Sequence, residues 1–403
     1  MPSVCFYFQV HQPSRLRRYS IFDTDRNYFD GFRNSEICRK LSQKCYQRAN
    51  RLMLDLIHRH EGRFRISYSL SGIVLEQFER FAPEVMDQFK EMNDTGCVEF
   101  LAEPYHHSLS FLYSREEFTE QVRLHSDKIW QLFRQKPSVF CNTELIYNND
   151  LAHFVSGLGY RGILSEGVPY LLGNRSPNYV YCATGTPKMA LLLRNAQLSD
   201  DIAFRFCNHA WPEWPLTAEK FARWISQTGE SGDVVNLFMN YEAFGDRLPA
   251  DCGIFDFLAH LPGEILDRPG NDFKTPSEVI EAHPPRGECD VPHMISWADS
   301  ERDLSAFLGN AMQSNALHEL YRLEREVKST GDPQILQDWR CLQSSDHFLY
   351  MCTKQAGDGD VHKFFNPYDS PYDSYINFMN VLDNLRLRIG ARLRERLQNL
   401  RAL

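Results

Sequence analysis

At five places in this sequence a carboxylate, an amide or a histidine stands directly after, or closes, a short apolar run. His11, Gln12 and Pro13 follow the run at 4–10; Glu103, Tyr105, His106 and His107 follow the run at 97–102; Asn142, Thr143 and Glu144 close the run at 138–144. Glu166 follows 161–165, and Asn240, Tyr241 and Glu242 close the run that starts at 234. A carboxylate at the end of a buried strand is costly to keep ionised away from water, so it needs partners and an opening to solvent. Such perturbed acids and bases gather where protons are moved or bonds attacked. Taken singly, each is equally well an ion pair that closes a sheet. Their joint placement reads as one site.

The elements that must position them follow from the apolar runs. Strands are expected at 4–10, 64–70, 97–102, 138–143, 161–165, 189–194 and 234–239, with helices at 35–60, 83–93, 115–134 and 218–228 between several of them. Strands apolar at nearly every position suit a parallel sheet covered on both faces, and their alternation with helices predicts βα units closing into a barrel. In such a barrel the polar strand ends line one face. From Ser300 onward helical periodicity takes over. Phe378, Leu382, Leu385, Ile389, Leu393, Leu397 and Leu400 paint a single helix face. The Pro-, Gly- and charge-rich segment 262–292 reads as the connection, giving a barrel over 1–290 and a helical bundle over 291–403.

Composition narrows the class. With 44 Lys and Arg against 53 Asp and Glu, the chain is acidic, which argues against a nucleic-acid partner. Its longest apolar runs, such as Met189 to Leu193, are far too short to span a bilayer, so no membrane partner is expected. The opening MPSVCFYFQVHQPSRLRR places apolar before basic residues, the reverse of a secretory signal, and eleven scattered cysteines without a CxxC pair fit reduced thiols in a cytoplasmic setting. No Gly-rich loop follows a strand as a phosphate-binding backbone cradle requires. No cofactor or metal is expected: the triplet His11-Gln12-Pro13 has no Asp two residues before or after the histidine, and the adjacent His106 and His107 should point apart. The sequence sets no expectation for oligomeric state.

Five segments in order, HQPSRL at 11–16, GCVEFLAEPYHHSL at 96–109, FCNTELIY at 140–147, FMNYEAFGDR at 238–247 and SWADSERDLSAFLGN at 296–310, resemble the signature regions of glycoside hydrolase family 57. The resemblance implies an incomplete seven-stranded parallel β/α barrel followed by a C-terminal α-helical bundle. It implies a retaining hydrolase of α-glucans of the α-amylase type, cleaving internal α-1,4 bonds of starch, glycogen or maltooligosaccharides. It makes Glu144 the nucleophile. The family's general acid/base is an Asp opening the motif DYExFG, and this sequence reads Asn240-Tyr241-Glu242-Ala243-Phe244-Gly245. Retaining hydrolysis needs a carboxylate to attack and a carboxylic acid, roughly 5 to 5.5 Å away, to protonate the leaving oxygen. An amide donates hydrogen bonds but releases no proton, and acid/base help is worth about 10² to 10⁴-fold. The chain is thus expected to be slow or silent on ordinary glucans. An acid/base-disabled Asp-to-Asn variant engineered from an active amylase is the leading reading; a natural homologue that binds α-glucan without cleaving it, and a 4-α-glucanotransferase, are the alternatives.

The resemblance also places His11 and His107 at the site, as partners of sugar hydroxyls or of the nucleophile, and gives Glu242 a sugar-hydroxyl role with substitute acid as the lesser option. Sugar rings stack on aromatic faces, so Trp297, with Asp299, is expected at the cleft. Trp211 and Trp214, in a Pro-rich loop, are platforms or loop anchors. In Ser344-Ser345-Asp346-His347 the polar residues are a helix cap, slightly favoured, or a contribution of Asp346 and His347 to substrate binding. His58 and His60 read as solvent-facing.

Overall fold

The computed structural model describes residues 2–229, 231–354 and 366–401. Seven parallel strands carry the site: β1 (Ser3–Val10), β2 (Ile66–Leu70), β3 (Val98–Phe100), β4 (Val139–Phe140), β5 (Gly162–Glu166), and, after the hairpin strand β6 (Val180–Ala183), β7 (Thr186–Arg194) and β8 (Val234–Asn240). β1 pairs in register with β2 (Phe6 opposite Ile66) and with β8 (Phe6 opposite Leu237), and β5 pairs with β4 and β7. Two seams are thin. β7 meets β8 only at Arg194 and Asn236, and β3 reaches β4 through Ala102, whose N–H donates to the Val139 carbonyl at 3.0 Å and whose carbonyl accepts from Cys141 N–H at 2.8 Å. The expected incomplete β/α barrel is what the chain forms.

Alternation explains why the strands are apolar throughout. Val4, Phe6, Phe8 and Val10 of β1, with Val235, Leu237 and Met239 of β8, face the surrounding helices, whereas Cys5, Tyr7, Leu192 and Phe238 fill the inside. All eight residues of β1 are buried. The helix expected at 35–60 is two helices, Gly31–Leu41 and Gln47–Arg59, joined by a wider turn at Ser42–Tyr46.

Three departures have physical causes. β6 runs antiparallel beside β7 as a short hairpin, invisible to a search for βα alternation. The segment 262–292 is more than a connection: it completes the helix Ile254–Leu266, with Pro262 inside, and holds the helix Pro276–Ala282 and the two-residue strands β9 (Asp272–Phe273) and β10 (Glu288–Cys289), which pair with β1 and β6. Breaker-rich composition hid elements held by tertiary contacts. The final helix, Pro371–Arg401, buries Phe378, Leu382, Leu385 and Ile389, but outruns the body, leaving Leu397 and Leu400 exposed at 56% and 64%.

The helical region shares a core with the barrel's loops. Leu16, Tyr19, Tyr28, Leu109 and Ile146 pack with Phe307, Trp339, Phe348 and Leu382. All eleven cysteines are free; Cys207, Cys252 and Cys352 are half-buried and the other eight buried.

Candidate active site

The chain after β4 turns sharply at Thr143–Leu145, with Glu144 at φ 54° and ψ 30° and Leu145 at φ 48°. Left-handed backbone at a residue with a Cβ costs about 1–2 kcal/mol, so the turn needs support. The Glu144 carbonyl accepts from Ser296 Oγ at 2.8 Å and from the Trp297 N–H at 3.3 Å. Trp297 Nε1–H then donates to Glu144 Oε2 at 2.8 Å, and Glu144 Oε1 lies 3.5 Å from both His107 Nε2 and Ser345 Oγ. Trp297 is therefore a clamp on the carboxylate as well as a wall of the cleft.

His107, also left-handed at φ 49°, is buried between two carboxylates: its Nδ1 lies 2.9 Å from Glu103 Oε2, opposite the Glu144 contact. Burial acts to lower its pKa, but Glu103 and Glu144 outweigh burial and raise it to about 10. Against the opposite pull of burial, His107 holds Glu103 below the usual carboxylate range. Glu103 also accepts from Ser69 Oγ at 3.0 Å and Gln9 Nε2 at 3.3 Å. The result is a row of carboxylate, imidazolium and carboxylate that ends on Glu144.

His11 stacks on His107, ring centres 4.0 Å apart. Burial and the neighbouring His107 charge lower its pKa, so it is neutral. Its Nδ1 lies 2.7 Å from Ser71 Oγ and its Nε2 2.8 Å from Asp346 Oδ2; the carboxylate assigns the single ring proton to Nε2. Asp346 stays ionised despite burial because His11, His107 and the Ser344 hydroxyl, donating at 2.7 Å, favour its charge. Ser344-Ser345-Asp346-His347 allows two readings, helix cap or site contribution; the Ser344 side chain makes no cap bond and donates to Asp346 instead.

These groups open on one cleft of about 570 Å³. Of the residues singled out in the sequence, Glu144, Asn240, His11, His107 and Glu242 line it. So do Trp297, Asp299, Trp211 and Asp346. Asn240 ends β8 with its backbone in register with Gln9. Glu242 is buried and accepts from Tyr46 O–H at 2.6 Å and His11 N–H at 3.3 Å; burial pushes its pKa up to about 7 against those bonds.

Other expected residues lie elsewhere. His347 is buried in the helical core with Nε2 3.3 Å from the Cys341 carbonyl, because the short helix Ser345–Leu349 turns it away from Asp346. Trp214 is outside the lining residues; it stacks on His209 at 4.2 Å and stays exposed. Glu166 is an ion-pair partner: Arg194 Nη1 sits 3.3 Å from both its oxygens, joining β5 to β7. His106 is buried away from the cleft, so the two adjacent histidines do point apart.

Reasoning from strand ends missed the cleft's cations, Arg194, Arg205, Arg247, Arg302 and Lys354, and the aromatic Phe204. Arg247 stands inside a quoted motif, yet nothing in its spacing separates it from a surface arginine. Asp299, Glu301 and Asp303 bring carboxylate oxygens within 4.8 Å of one another, a spacing that suits a cation; Lys354 supplies one by pairing with Asp299 and Glu301.

Comparison with known proteins gives a consistent result. The model of glycosyl hydrolase family 57 matches residues 5–292. A Methanocaldococcus jannaschii protein named "Putative alpha-amylase" is 40% identical over 397 residues, covering 94% of this chain and 83% of that protein. Among solved structures, the GH57-type branching enzyme of Pyrococcus horikoshii superposes with a TM-score of 0.67 at 13% identity, over 95% of this chain and 88% of that one. The α-amylase AmyC of Thermotoga maritima gives 0.62 at 12% identity, over 97% and 94%. The 4-α-glucanotransferase of Thermococcus litoralis gives 0.66 at 14% identity over 86% of this chain, which spans only 56% of that enzyme. At these identities the structural likeness speaks to the fold alone.

Proposed function

The chain belongs to glycosyl hydrolase family 57, and from that premise we propose that it is a retaining α-glucan enzyme of the α-amylase type whose acid/base position is disabled. The observation that carries the reading is Glu144, clamped by Trp297 and faced by the His107 cation, in a cleft that Asn240 also lines. In this reading Glu144 attacks the anomeric carbon and forms a glucosyl ester, and Asn240 stands where the departing oxygen needs a proton. The α-glucan class is supported by the amylase name of the 40% identical relative. Barrel residues 1–290 bear Glu144 and Asn240, and the helical part from 291 completes the cleft with Trp297, Asp299 and Asp346. Eleven free cysteines favour a reducing, cytoplasmic setting.

The test is the Asn240→Asp protein on soluble starch and maltoheptaose. Hydrolysis should rise by at least about 10²-fold, with affinity for maltooligosaccharides within about tenfold, since Asn and Asp share size and shape. A fluoroglycoside inactivator should label Glu144; labelling of Glu103 or Glu166 overturns the assignment. No turnover even with Asp at 240, despite binding, would make the protein a glucan-binding homologue. Transfer to a sugar acceptor instead of water uses the same pair of groups and would appear as longer and shorter maltooligosaccharides. One observation favours a second reading: Glu242 lines the cleft and, with its pKa up to about 7, holds a proton over part of the neutral range. If the unaltered protein hydrolyses starch at full rate and Glu242→Gln abolishes it, Glu242 is the acid.

A further inference from the structure

Four of the cleft's lysines and arginines have counter-charges. Arg194 meets Glu166 and Asp200; Arg205 meets Asp201 at 2.6 Å; Arg302 lies 3.7 Å from Asp200; Lys354 meets Asp299 and Glu301. Arg247 differs. Its guanidinium lies over the ring of Phe204, 4.8 Å from the centroid, and no carboxylate of the described residues comes within 4.0 Å of it. Glu242 and Asp246 act on it only from beyond ion-pair distance, and burial lowers its pKa. A half-buried, planar, five-donor cation on an aromatic face, opening on a catalytic cleft, is built to receive an oxyanion. The sequence argues against a backbone phosphate cradle; a guanidinium is a different device.

The same cleft lacks a proton where Asn240 stands. An oxyanion that brings its own proton removes both deficits, and phosphate is the simplest. We propose that this cleft uses inorganic phosphate as acceptor and α-glucosyl or maltooligosyl phosphate as donor, with Arg247 holding the phosphate and the phosphate acting as the mobile acid/base. The proposal rests on Glu144 being the nucleophile.

The steps balance. With a glucan, Glu144 attacks C1, the glycosidic C1–O bond breaks, and H2PO4⁻ gives the leaving oxygen its proton, becoming HPO4²⁻. That dianion, still on Arg247, attacks C1 of the glucosyl ester from the opposite face. The ester bond breaks, the carboxylate returns to Glu144, and the product is an α-glucosyl phosphate monoanion. The reverse begins with that monoanion, which departs as HPO4²⁻ and later takes the acceptor hydroxyl's proton. No oxidant, reductant or outside base is required. Phosphate monoesters titrate at about pH 6, so use of the phosphate donor should decline as the pH rises above that value.

The experiment incubates the full chain with maltoheptaose and inorganic phosphate and follows the products by phosphorus NMR. The expected result is an α-anomeric glucosyl or maltooligosyl phosphate, formed at least about tenfold faster than the glucan is hydrolysed. Arg247→Gln should raise the KM for phosphate about 10- to 100-fold, the loss expected for one charge-assisted contact, while changing the KM for maltoheptaose far less. Arg247→Lys should recover part of that loss. No phosphate ester, a β-anomer, or equal ester formation by Arg247→Gln would overturn the proposal, and the unaltered protein decides the first two even if the variants fail to fold. Labelling by a fluoroglucosyl fluoride separates the two levels. A labelled Glu144 without phosphate ester sinks only the phosphate step; an unlabelled Glu144 sinks the nucleophile reading beneath it.

Discussion

The proton on His107 is shared out between Glu103 and Glu144, and this gives the stability a signed dependence on pH. The folded group titrates at about 10, against about 6.5 for an unperturbed imidazole. Its stabilisation is therefore complete below about pH 6.5 and is lost as the pH climbs through about 10. His107→Asn strands Glu103 as a buried, uncompensated charge, a change that costs about 3–5 kcal/mol. Denaturant unfolding of both proteins should show the largest difference near pH 6 and a much smaller one above pH 10, in keeping with that linkage. A difference that does not shrink would mean a neutral His107. Glu144 and His107 were legible in the sequence because each stands after a buried apolar run. Asp346 was visible only as half of an ambiguous cap, since its partner His11 lies 335 residues away. Arg247 was not legible, because its meaning lies in having no carboxylate of the described residues within ion-pair distance, and spacing does not record absences.

At the scale of elements, the loop after β8 is fixed by close backbone approach. Gly245 has φ +106°, and a Cβ there would lie 2.1 Å from the Lys44 carbonyl oxygen in the wide turn between the first two helices. Its N–H donates to the Leu248 carbonyl at 2.9 Å, closing the loop that presents Arg247. Gly245→Ala must move backbone and should cost about 1–3 kcal/mol; calorimetry should show a Tm lowered by several degrees. An unchanged Tm would mean that the loop shifts freely. The seven parallel strands were legible because burial on both faces leaves an unbroken apolar signature. β6 was not, being a hairpin arm bounded by polar residues. The helix through Pro262 was not, because composition marks Pro as a breaker while packing of Leu258, Leu261 and Ile265 against the barrel keeps the helix.

Across the whole molecule, barrel and helical region are interlocked twice: through the shared core of Leu16, Tyr19 and Tyr28 with the final helix, and through the cleft, where His11 meets Asp346 and Glu144 meets Trp297. Periodicity announced the helices but not this embrace, which joins the chain's first and last tens of residues. Heating should give one calorimetric transition, with barrel and helical probes coinciding; two resolved transitions would show independent units. The distribution of thiols has a practical consequence. Eight cysteines are sealed inside, Cys207 and Cys252 are half-buried outside the lining of the cleft, and Cys352 alone of the eleven borders it. The native protein thus carries a built-in footprint. Burial raises the Cys352 thiol's pKa, so alkylation should be slow at neutral pH and quicken in mild alkali. A maltooligosaccharide filling the cleft should shield Cys352 from the reagent while Cys252, outside the lining, goes on reacting, so mass spectrometry reads occupancy without any turnover.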